Sequence, residues 1–353
     1  MKRKLRLLVL MAGLTVATSG PVLAAEHLMV IQEVSSGTPS NPAAQYVMLR
    51  MTSFAQTLLN GTVIDLQDSS GAAIGRFGTF DHNVASGGTA GCAYPNCPAI
   101  VIGTAAAQTA FGFAFDQIVD AQTGRASLPP AGGRVCYKDS LNRPIDCVAY
   151  GSFSGSNTIP TPTINGCDAN FGVPATALSA GFSLTRKQFS CAIKENSADF
   201  ENRFPHPVAN NGGNANTDSD GDTLIDILDC ADGDSSALYF PFEVSGLTVS
   251  DPPTSLVWGD QAALSGISTL YDVLTGSIAT LRTMQDYIAE MCLVAGSAAA
   301  STSDPGSNPS LGNCNYYLAR ARSNCGPGTY GDGTSIPDPR NLLDDPVNGP
   351  ACP

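Results

Sequence analysis

Turn residues interrupt almost every apolar run in this chain. "HLMVIQEV", "AQYVMLRMTS", "TVIDLQDSSGAAIGRF", "AIVIGTA" and "GGRVCYKDS" are β-branched or alternating segments ended by Ser-Gly, Asp-Ser-Ser-Gly or Ala-Gly-Gly. Runs this short bury one face as strands and are too brief to make helices. With 36 glycines and 24 prolines to supply turns, the pattern predicts an all-β protein of sandwich type. The one helical pattern is "IATLRTMQDYIAEMCLV", residues 278–294.

A length of 353 residues exceeds one ordinary core and leaves room for two or three domains. Residues 1–25 read as a signal peptide. Lys2, Arg3, Lys4 and Arg6 precede the apolar stretch LLVLMAGLTVA, and Val22-Leu23-Ala24 with Ala25 supplies a small-residue cleavage site. Its removal leaves 14 basic against 31 acidic residues, a net charge of −17. Nucleic acid and anionic membrane surfaces are therefore disfavoured partners. No later stretch is apolar over the roughly 20 residues that a transmembrane helix needs, so a secreted or cell-surface location is expected.

All eleven cysteines follow the signal segment, which suits an oxidising compartment where disulfides persist. Short local bridges are expected. Cys136 and Cys147 flank the hairpin-like "YKDSLNRPID", and Cys92 and Cys97 bracket "AYPN"; Cys167 with Cys191, and Cys314 with Cys325, are further pairings. The odd total leaves at least one thiol unpaired or joined to another chain.

In residues 26–208 the segments "IQEV", "QYVMLRM", "GGRVCYKD", "DCVAYGSF", "SLTRKQ" and "ENSADFENRFPHPVANN", in that order, resemble the lamin tail domain found in bacterial secreted proteins. The resemblance implies an immunoglobulin-like sandwich used for interaction rather than catalysis. Gln45 stands where an acidic residue commonly precedes the Tyr-Val-x-Leu strand. Residues 209–237, "NNGGNANTDSDGDTLIDILDCADGDSSA" at their centre, form a Gly/Asn/Asp-rich connector too polar to build a core. Residues 238–353 resemble a fibronectin type III domain through "LVWGD", "LYDVLTG" and "YYLARARSNCGPG". Trp258, Tyr271, Tyr316 and Tyr317 are the large residues expected at the centre of that second sandwich.

Signatures of catalysis are few. The three histidines, His27, His82 and His206, form no HExxH pair and show no zinc spacing. "GSFSG" puts Ser154 in the fourth position rather than the third of a nucleophile elbow. The six glutamates after the signal segment, Glu26, Glu33, Glu195, Glu201, Glu243 and Glu290, each fit a strand edge, loop or connector. No catalytic residue is assigned. The competing class is an exported hydrolase of carbohydrate or phosphoester, whose carboxylates converge only in space.

The aspartates carry a sharper pattern. With Asp218 as position 1 of a calcium loop, Asp220 falls at 3, Asp222 at 5, the Leu224 carbonyl at 7, Asp226 at 9 and Asp229 at 12. These are the ligand positions of an EF-hand-type loop, and hard oxygens at this spacing suit Ca²⁺. Position 6 is Thr223 instead of glycine, and Asp229 is shorter than the usual glutamate. The pattern resembles thrombospondin type 3 and dockerin loops, with "DCADGD" like the start of a second repeat. The expected function is a non-enzymatic display or adhesion protein whose calcium is structural. Its partner, an extracellular protein or a glycan, is not identified by the residues.

Overall fold

The structure, a computed structural model, describes residues 26–353 apart from 39, 158–166, 168–170, 179–180, 192–193, 215–216, 251–253, 285–286, 288, 332–339, 341–342, 345–351 and 353. The signal peptide expected at 1–25 lies outside the described residues.

The fold is all-β and sandwich-like. The first half contributes β1 (Met29–Ser35), β2 (Tyr46–Met51), β3 (Val63–Gln67), β4 (Ala73–Thr79), β5 (Ala99–Gly103), β6 (Gln117–Ile118), β7 (Gly132–Lys138), β8 (Pro144–Gly151), β9 (Ser183–Arg186) and β10 (Phe200–Arg203). They form a six-stranded sheet, β10-β9-β1-β2-β5-β6, and a four-stranded sheet, β4-β3-β7-β8. Ile31, Val34, Val47, Leu49, Ile64, Leu66, Phe77, Ile100, Val135 and Val148 are buried together between them.

Strand β2, "YVMLRM", is apolar on both faces because both are covered. Val47, Leu49 and Met51 join the inter-sheet core, whereas Tyr46 and Met48 belong to a second cluster on the outer face. That outer cluster takes Phe111 from α1 (Ala105–Phe111) and Ala209 and Ile225 from the connector. Helix α1 begins at Thr104, whose hydroxyl accepts the Ala107 N–H, and ends at Gly112 with φ of +71°. The residues expected to form a solvated connector are thus partly core.

The second half contributes β11 (Thr248–Ser250), β12 (Ser255–Val257), β13 (Leu270–Ser277), β14 (Met291–Ser297), β15 (Ser301–Ser303), β16 (Asn315–Ser323) and β17 (Gly326–Pro327). These pair as β11-β12-β15 and β14-β13-β16-β17. Leu256, Trp258, Tyr271, Val273, Ala319 and Ala321 form the core, with the Trp258 and Tyr271 rings edge to face at 5.5 Å. Tyr317 packs against this core, but Tyr316 turns to Tyr287 and Glu290.

The helix expected over 278–294 is a correction. Among the described residues of this segment only α2 (Ile278–Met284) is helical; Met291–Ser297 is strand β14, antiparallel to β13. The sheet needs a strand beside β13, and Leu293 and Val294 reach the Trp258 core only from there. Tertiary pairing overrides the local helical period.

Five disulfides join Cys92–Cys97, Cys136–Cys147, Cys167–Cys191, Cys230–Cys325 and Cys292–Cys352. Cys136 and Cys147 face each other across the β7–β8 hairpin. The pairing expected between Cys314 and Cys325 is absent, and Cys314 is a free, exposed thiol. The reason is geometric: the two residues lie at opposite ends of the extended strand β16, which spans roughly 30 Å.

Candidate metal centre

The acidic loop owes its shape to its own carboxylates. Asp218 accepts the N–H groups of Gly221 (2.8 Å) and Thr223 (3.1 Å), Asp220 that of Asp222 (3.2 Å), and Asp222 that of Leu224 (2.7 Å). Short side chains that satisfy nearby backbone donors fold the chain into successive tight turns. Two residues inside the loop have positive φ, Gly221 at +79° and Thr223 at +81°. Thr223 thus takes the backbone conformation that glycine supplies in such loops, at a cost for a β-branched residue.

Asp218, Asp220 and Asp222 come together, each offering an oxygen within 4.8 Å of the others. Asp226 and Asp229 do not join that cluster. Asp226 closes the loop by accepting the Ser219 N–H (2.7 Å) and hydroxyl (2.8 Å), and Asp229 accepts the Ala231 N–H (2.8 Å). The Leu224 side chain is buried with Leu238 and Tyr239, while Ile225 enters the outer cluster of the first sandwich. Adjacent residues therefore pin the loop to both halves. In the would-be second repeat, Asp234 is engaged by Ser236 and by Asn324 beside the β17 hairpin.

Electrostatically the loop is unrelieved. Burial, reinforced by the charges of Asp220, Asp218 and Asp226, raises the Asp222 carboxyl above the ordinary carboxylate range. Burial, with the Asp222, Asp220 and Asp232 charges, pushes Asp229 up to about 6. Asp220 Oδ2 and Asp222 Oδ2 are buried atoms without a hydrogen-bond partner. A hard cation satisfies such a set, since it supplies the positive charge and the missing contacts together. Asp218, Asp220 and Asp222 are the residues that would hold a cation there.

No family model matches the chain, and neither a curated protein nor a solved structure is detectably similar to it.

Two buried constellations were not legible in the sequence. Glu33, one of the six glutamates expected at a strand edge, loop or connector, lies on β1 in the middle of the six-stranded sheet and is buried. It accepts from the Tyr46 hydroxyl (2.5 Å) and the His206 N–H (3.0 Å). Burial raises its carboxyl, against the opposing effect of its hydrogen bonds from Ser183, Tyr46 and His206. An acid with a raised folded-state value stabilises the fold in its protonated form, and that contribution is lost as the pH rises through the folded value. Tyr46→Phe is accordingly expected to cost about 1.5–3 kcal/mol at a pH above the folded value, where the buried carboxylate loses a donor, and less near pH 4, below the ordinary glutamate value. Urea titrations at the two pH values check this; equal costs would contradict it.

The second constellation is Asp146 on β8. Its Oδ2 accepts the Ile31 N–H (2.8 Å) and the Arg186 Nη2 (2.7 Å), and its Oδ1 accepts Lys194 Nζ (2.8 Å). The register of β1 against β2 shifts between Ile31 and Glu33. Arg186 Nε donates to the Ile31 carbonyl (2.8 Å), and the guanidinium lies 4.4 Å from the Phe200 ring centre. The group clamps the two sheets; it lines none of the open grooves described for the molecule.

Proposed function

We propose that the protein is a secreted or cell-surface structural and adhesion module without catalytic activity. In this reading a lamin-tail-like sandwich and a fibronectin-III-like sandwich are joined by a loop that calcium stiffens. The observation that carries it is the placement of the acidic loop. Its buried Asp220 and Asp222 oxygens, without hydrogen-bond partners, lie just before Leu224, packed with the second half, and Ile225, packed on the first.

The surroundings support a joint. Tyr239 donates from its hydroxyl to the Gly181 carbonyl (3.1 Å), and Phe204 stacks on Phe182 at 5.0 Å and meets Tyr239 edge-on at 6.0 Å. Five disulfides suit an extracellular setting, and no helix among the described residues is long and apolar enough to cross a membrane. Each of the three open grooves described has a single aspartate in its lining, Asp81, Asp226 or Asp218. A hydrolase acting through paired carboxylates would need two that face one substrate.

Calorimetric titration of the full chain with calcium is expected to give a saturable heat, with affinity in the range of extracellular modules, about 10⁻⁴ to 10⁻³ M. EDTA is expected to lower the melting temperature. Thr223→Gly relieves a left-handed β-branched residue, worth roughly 1–2 kcal/mol before the added entropy of glycine is subtracted, and is expected to tighten calcium binding. No heat together with an EDTA-insensitive melting temperature would remove calcium from the proposal.

A further inference from the structure

The first sandwich carries two arginines side by side on its surface. A parallel backbone bridge links Arg76 on β4 to Arg125, and the Ala126 N–H donates to the Arg76 carbonyl at 2.7 Å. Both side chains are exposed and line one groove of about 490 Å³, with Phe77, Thr79, Gln122 and Thr123. In a chain with 18 basic and 31 acidic residues, two adjacent cations with no shared counter-ion among the described residues go against the overall balance.

The neighbouring acids do not resolve the pairing. Asp65 is the partner of Arg76 (3.3 Å), but it is shared with Lys138, which approaches more closely at 2.7 Å. Arg125 makes no ion pair among the described residues. Asp81, which also lines the groove, is paired with His82 at 2.6 Å. Gln122 is held in place, since its amide exchanges two hydrogen bonds of 2.7 Å with the Thr79 backbone. Like charges on adjacent strand positions repel, and an anion between them turns that repulsion into attraction.

We propose that this groove binds a carboxylate-bearing ligand, gripped between Arg76 and Arg125. A guanidinium presents paired N–H donors that match the two oxygens of a planar carboxylate. A single carboxylate fits better than a polyanion, because the net charge of −13 repels an extended negative chain. The groove has room for a small molecule or for the terminal acidic unit of a larger one. The site gives the adhesion reading a ligand class and rests on that reading for its biological setting alone; its binding test does not involve calcium.

The test is an NMR titration of the ¹⁵N-labelled full chain with glucuronate, glucose and acetate in parallel, each at millimolar concentration. Glucuronate is expected to shift the amides of Thr79, Gln122 and Arg125 saturably, whereas glucose leaves them unmoved. Acetate binding as tightly as glucuronate identifies a free small carboxylate as the ligand, and tighter glucuronate binding identifies an acidic sugar. Arg76→Gln and Arg125→Gln are each expected to weaken glucuronate about tenfold or more, as loss of a charge-assisted pair does. Arg143→Gln, which alters an arginine already paired with Asp139, is expected to leave binding intact. The Arg125 side chain makes no ion pair among the described residues, so its variant tests the site even if Arg76→Gln disturbs the sheet. Glucuronate shifts no larger than those of glucose, or full binding retained by Arg125→Gln, overturn the proposal. Both outcomes are independent of whether calcium binds the acidic loop.

Discussion

Asp146→Asn is expected to destabilise the first sandwich by about 3–5 kcal/mol, the usual consequence of removing one partner from a buried ion network. The side chain is fully buried and faces two cations that are nearly as buried, Arg186 and Lys194. Asparagine keeps the shape but removes the charge, which leaves Lys194 without its ion-pair partner among the described residues and Arg186 with the more distant Asp199, at 4.0 Å. Burial by itself would raise the Asp146 carboxyl, yet the Lys194 and Arg186 charges and the bonds from Lys194 and Ile31 outweigh it and hold the group below the ordinary carboxylate range. With the folded value lowered, the contribution is complete above the ordinary carboxylate value and disappears as the pH falls through the folded one. The cost of Asp146→Asn should therefore be full at neutral pH and shrink only in strong acid. Domain stabilities are about 5–15 kcal/mol in total, so the variant should lose a large part of its denaturant resistance by far-UV circular dichroism. An unchanged midpoint would mean that the network does not hold the sheets together.

Cys230→Ser with Cys325→Ser is expected to produce the other large loss, and in the second half. This disulfide closes a loop across a sequence separation of 95 residues, and chain-entropy estimates for loops of that length are about 4–5 kcal/mol. It also holds the end of the acidic loop against the β16–β17 turn, where Asn324 donates to Asp234 at 2.7 Å. Trp258 is the only tryptophan and lies in the second core, so its fluorescence reports that half selectively. The double variant should lower the Trp258 unfolding midpoint while the Tyr46–Glu33 side of the molecule is less affected. A Trp258 midpoint equal to that of the parent protein would show that the connector and the second sandwich are joined by packing alone.

Much of the chain was legible before its structure. The strand segments quoted from the first half fold as strands, and the sandwich class follows from short apolar runs separated by turns. The failures share one physical cause. Residues 278–294 carry a helical period, but Met291–Ser297 pairs with β13 because the sheet and the Trp258 core need a strand there. Cys314 and Cys325 are close in sequence, yet the strand between them is straight, and Cys325 finds Cys230 instead. Glu33 looked peripheral because nothing local marks a strand as central.

The acidic loop divides along the same line. The sequence by itself determined the spacing of Asp218, Asp220 and Asp222, and hence the turns that gather their oxygens, because Asx turns depend on neighbours two to five residues away. It also determined the all-β class, since side-chain alternation and turn chemistry act within a few residues. Only the tertiary structure decided that Asp226 and Asp229 stay outside the three-carboxylate cluster, that Leu224 and Ile225 fasten the loop to opposite halves, and that Thr223 takes positive φ. It likewise decided that Asp146, Arg186 and Lys194 meet, although up to 48 residues separate them. Burial, charge pairing and disulfide partnership depend on which distant segments the folded sheets bring together, and no local pattern encodes those distances.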